Sequence, residues 1–73
     1  MKRLTILVLD RNNGIITGEY VDSQSLTSFL LRTGRAHKLQ LSIHINGTDK
    51  ALFIEKIDLA TLPKTILEFQ NKS

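Results

Sequence analysis

The chain contains no cysteine, which removes disulfides and every thiolate metal site at once. Its two histidines, His37 and His44, cannot complete a four-ligand zinc site without carboxylate help. Neither a metal nor another cofactor is therefore expected. The four glycines stand alone at positions 14, 18, 34 and 47, so no glycine-rich loop is present to cradle a phosphate. No apolar run approaches the ~20 residues that span a bilayer, and no membrane partner is expected. Nucleophilic catalysis needs a Ser, Cys or Lys beside an oriented base. The serines of DSQS lie in no nucleophile-elbow context, so no catalytic residue is assigned and a non-enzymatic role is expected.

The opening MKRLTILVLD places basic residues before an apolar stretch. That stretch, residues 4–9, is shorter than the apolar part of a secretion signal, and Asp10 and Arg11 follow it. It reads as a strand, and the expected location is cytoplasmic.

What remains is ordinary globular material: 73 residues, 41% hydrophobic and 23% charged, enough for one small domain spanning 1–73. A chain of this size buries only about 60% of the surface its unfolded form exposes. Small domains lean on disulfides, metals or self-association for the rest. Only the last is open to this sequence.

Two segments read as β-hairpins, each with apolar, β-branched runs flanking an Asn-Gly turn at Asn13-Gly14 and Asn46-Gly47. Each is followed by a helix signal. In the first, Ser25 is the expected N-cap, Leu26, Phe29 and Leu30 share one face, and Gly34 closes the helix. In the second, Thr61 is the expected cap, Pro63 sits in the first turn, and Leu62, Ile66 and Phe69 form the stripe. The order ββαββα predicts an α+β fold: two β-hairpins forming a four-stranded antiparallel sheet with two helices on one face. The halves, 1–34 and 35–73, read as pseudo-repeats. An ungapped slide of 36 positions superposes Glu19/Glu55, Asp22/Asp58, Leu26/Leu62 and Leu31/Leu67 as identities, with Leu7/Ile43 and Val21/Ile57 similar.

Leu39, Leu41, Ile43 and Ile45 alternate with polar residues, so one face of the third strand meets the core. The first strand is apolar on both faces. Either long side chains such as Tyr20 and Lys56 cover its outer face, or Leu4, Ile6 and Val8, with Tyr20, form a protein interface. The second reading implies a homodimer or a complex with another protein. Gly18, inside a strand, predicts a bulge or a close backbone approach. Phe53 is expected in the core.

Net charge is +3, but residues 23–48 carry no acid at all. Within them Arg32, Arg35, His37 and Lys38 cluster in a joint between the halves, and Gln40, Ser42 and His44 share a strand face beyond it. These residues define a second expectation: weak contact with nucleic acid or an acidic partner. Arg32 also suits a helix C-terminus, whose carbonyls attract cations. Glu19 and Glu55 are read as solvated or ion-paired strand positions.

Overall fold

The computed structural model describes residues 3–72. Strand β1 (Leu4–Asp10) and strand β2 (Ile16–Tyr20) form the first hairpin, followed by helix α1 (Ser23–Thr33). A 3-10 turn at Ala36–Lys38 leads into β3 (Leu39–Ile45) and β4 (Ala51–Ile54), and helix α2 (Leu62–Asn71) follows. The sheet order is β2-β1-β3-β4, every neighbouring pair antiparallel, so strands from the two hairpins lie side by side at its centre. An α+β architecture with a four-stranded antiparallel sheet and two helices is therefore established.

The β1–β3 register decides which side of β1 is inside. Leu4 faces Ile45, Ile6 faces Ile43 and Val8 faces Leu41. Residues directly opposite one another share a face, and the β3 partners belong to its alternating core set. All six are buried, with Leu26 and Leu30 of α1 and Leu62 and Ile66 of α2 in the same cluster. Tyr20 pairs with Ile6 on this side and packs its ring against Phe29, 5.2 Å between centroids. The expected interface of Leu4, Ile6, Val8 and Tyr20 is thus corrected: these residues hold the sheet to the helices. Burying each apolar side chain contributes roughly 1.5–3 kcal/mol, and one chain already does so.

The turns and caps differ from expectation in detail. Gly14, Gly34 and Gly47 take positive φ, but no other residue among those described does. The hairpins therefore use only the glycine of each Asn-Gly pair. Gly34 closes α1 at φ 63°, its N–H donating to the Leu30 carbonyl. The cap of α1 is Asp22 rather than Ser25: the Asp22 carboxylate accepts from the Ser25 N–H at 2.7 Å. At α2, Thr61 occupies the cap position but its hydroxyl makes no cap hydrogen bond; it donates to the Asp58 carbonyl instead. Asp58 organises that approach, its carboxylate accepting from the Ala60 N–H at 3.0 Å and its carbonyl from the Leu62 N–H at 2.9 Å.

The bulge expected at Gly18 is present. Val8 faces Gly18 while Leu9 faces Ile16, which leaves Thr17 as the extra residue, its hydroxyl donating to the Val8 carbonyl. A Cβ on Gly18 would lie 3.0 Å from the Tyr20 ring, so the glycine lets that ring fold back towards the helix.

The Ser25 N–H, then the Ser25 hydroxyl, hold the Asp22 carboxyl below its ordinary range. A depressed folded-state pKa contributes stability above the ordinary carboxylate range, and this is lost as pH falls through the folded value. Asn also caps helices well but does not titrate. Thermal melts of Asp22→Asn and the native chain should therefore differ more at pH 7 than at pH 2. A difference that does not change with pH would refute the cap's electrostatic role.

Candidate interface on the uncovered sheet face

The helices cover one side of the sheet; the other side is built from the opposite parity of each strand. Reading across the printed pairings gives three rows. Glu19, Leu7, Ser42 and Phe53 form the middle row, Ile16, Leu9 and Gln40 lie towards one end, and Thr5, His44 and Ala51 towards the other. Leu7 and Leu9 are half-buried at the centre, while Ile16 (55% exposed) and Phe53 (56% exposed) stand open at the two edges. Phe53 was expected in the core. Its partner, the outward-facing Ser42, places it on the open side instead.

The polar groups of this face are already organised. Ser42 Oγ and His44 Nε2 lie 2.8 Å apart, and the Thr5 hydroxyl donates to Asn46 Oδ1 at 2.7 Å. None of the four strands contains a lysine or arginine, and their acids are Asp10 and Glu19. The face is therefore apolar at its centre and nearly neutral.

The basic residues lie elsewhere. Arg32 is in the last turn of α1, and Arg35, His37 and Lys38 are exposed in and beside the 3-10 turn. Gln40 and His44 do share the uncovered face, but four strand residues, about 13 Å, separate them. His44 is thus not part of the basic joint. Arg11, which sequence reading did not place there, is brought to it: its N–H donates to the Lys38 carbonyl at 3.0 Å. No local pattern signals this, because the contact depends on β1 lying beside β3.

A cleft of about 590 Å³ opens at the far end of the sheet between the start of α1 and the second half of α2, with Arg3, Leu4, Val21, Asp22, Ile66 and Leu67 among its lining. Its one carboxylate, Asp22, is the one that caps α1. Among the described residues no three acidic or histidine side chains gather to hold a metal ion, and no helix is long and apolar enough to cross a membrane. No family model, curated protein or solved structure matches the chain.

Proposed function

We propose that this is a non-enzymatic, cytoplasmic protein-binding module whose working surface is the uncovered sheet face: Leu7 and Leu9 at the centre, Ile16 and Phe53 at the edges. The observation that carries this reading is the pair of central leucines, Leu7 and Leu9, on a face whose strands contain no lysine or arginine. Water gains nothing from such a surface, whereas a protein partner buries it favourably. The test uses the native chain and Leu7→Lys as paired baits in extract of the native host, alongside sedimentation of each alone. Face-dependent association in either assay supports the module. Association equal in both proteins, or absent from both, removes it.

A second reading keeps one specific observation in its favour. Phe53 is an exposed aromatic on an open sheet face beside Ser42 and in reach of the Gln40/His44 strand, the setting in which single-stranded RNA stacks its bases. Arg11, Arg35, His37 and Lys38 would supply the phosphate contacts from the joint. Binding to mixed-sequence RNA and DNA should then be measurable at about 50 mM salt and should fall steeply by about 200 mM. No complex at the lower salt sinks it.

We also propose one domain made of two ββα halves, 1–34 and 35–73. The helices support the repeat, since the 36-position slide superposes buried Leu26 on Leu62 and Leu30 on Ile66. The central strands do not: the same slide sets buried Ile6 on outward Ser42 and outward Leu7 on buried Ile43. A repeat therefore requires a one-residue insertion or deletion between strand and helix in one half.

A further inference from the structure

We propose that the cleft between α1 and α2 binds a short apolar peptide by both of its free ends, the carboxylate at Arg3 and the ammonium at Asp22. The cleft stands apart from the uncovered sheet face. Its lining includes Leu4 and Ile66, both members of the core cluster on the helix-covered side. The inference therefore does not rest on the module reading above.

Size and apolar lining are the first argument. The volume, about 590 Å³, falls within the ~300–1,000 Å³ of small-molecule sites. It equals about twenty waters at ~30 Å³ each, room for two or three amino-acid residues rather than a folded segment. Val21 and Leu67 line it yet remain largely exposed, at 71% and 56%. With Ile66 between them and the core, they offer an apolar ligand contact from both helix ends, and such surface gains by being covered.

Charge defines what that apolar body must carry. Arg3 and Asp22 line the same cleft, and among the described residues they form no ion pair with each other. Their charges cancel in sum. An anion drawn to Arg3 meets Asp22, and a cation drawn to Asp22 meets Arg3; a dipolar ligand satisfies both. Asn46 strengthens the carboxylate end. Its backbone N–H donates to the Arg3 carbonyl at 2.9 Å, which holds the two residues side by side. Its Oδ1 accepts from the Thr5 hydroxyl, so Nδ2 is the group left to donate to a ligand. At the other end, a carboxylate has about four acceptor sites. The capping contacts from Ser25 and the Gln24 N–H leave room among them on Asp22 for an ammonium.

The experiment is a heteronuclear NMR titration of the full chain with leucyl-leucine, its N-acetylated form, its C-amidated form and the form capped at both ends. The free dipeptide should bind with a Kd of about 1 mM or tighter and shift the amides of Val21, Asp22, Asn46 and Leu67. Each cap on the ligand should weaken binding about fivefold, the upper end for an ion pair open to water. Two variants assign the ends. Arg3→Gln should weaken the free dipeptide about fivefold and leave the C-amidated form unaffected. Asp22→Asn, which retains a helix-capping side chain, should do the same for the free and N-acetylated forms. No binding at tenfold the stated Kd, equal binding of the free and doubly capped peptides, or an Arg3→Gln loss that is the same with and without the ligand carboxylate overturns the inference. Shifts at Leu7 and Phe53 in place of the cleft also overturn it, while leaving the module reading intact.

Discussion

Ile6→Lys should leave the chain unfolded in water, whereas Leu7→Lys, one residue further along the same strand, should leave it folded. Ile6 has no exposed surface and faces Ile43 beneath the helices. A lysine there must either bury its charge or shed its proton. Fully buried lysines shift by 3–5 pKa units, a cost of about 4–7 kcal/mol at neutral pH, before the lost apolar contact is counted. At ~0.05–0.15 kcal/mol per residue, a chain of this length holds only about 4–11 kcal/mol. Leu7 lies half-buried on the open side, where a lysine stem can lie along the sheet and carry its ammonium into water. Far-UV circular dichroism and urea titration of both variants provide the measurement. A cooperative unfolding transition in Ile6→Lys would mean that β1 is registered one residue away from the pairing described.

Ile43→Ala should cost about 2–5 kcal/mol and Ile43→Val about 0.5–1.5 kcal/mol. Ile43 lies in a central strand, fully buried, opposite Ile6 on one side and Leu52 on the other. Neighbours on three sides leave little room for collapse around a deleted group. Ile6→Val and Ile43→Val share a cross-strand contact, so their effects should be non-additive. Phe53→Ala, despite removing a larger side chain, should change stability far less, because that ring is more than half exposed. Urea midpoints for the set decide it: a Phe53→Ala cost equal to that of Ile43→Ala would mean the open face is packed within one chain.

The elements themselves were legible because their periodicity is clean. The third strand alternates without exception from Leu39 to Ile45, and the stripes Leu26/Leu30 and Leu62/Ile66 both proved buried. The first strand defeated the same reasoning because it is apolar on both faces. Alternation carries no information there, and only its pairing with β3 settles which side is inside. Phe53 was misplaced for a related reason: Ala51–Ile54 is an unbroken apolar run, whose faces are assigned by Ser42 rather than by its own composition. The cap of α1 was assigned to Ser25, but the Asp22 carboxylate, three residues earlier, holds the position. The open face was therefore anticipated as an idea, an exposed apolar stripe on the first strand, but attached to the wrong parity.

The central ladder has a kinetic consequence. Its partners run from Leu4 with Ile45 to Asp10 with Leu39, a separation of 41 to 29 positions along the chain. Each hairpin closes over a short turn, but a lone two-stranded hairpin is marginal in water. The sheet becomes worth forming only when the two hairpins dock, and docking must first close a loop of some thirty residues. Non-local pairing of this kind slows folding relative to helical proteins of equal length. During synthesis the first hairpin and α1 must wait, with the β3 edge of β1 unpaired, until the second hairpin has been made.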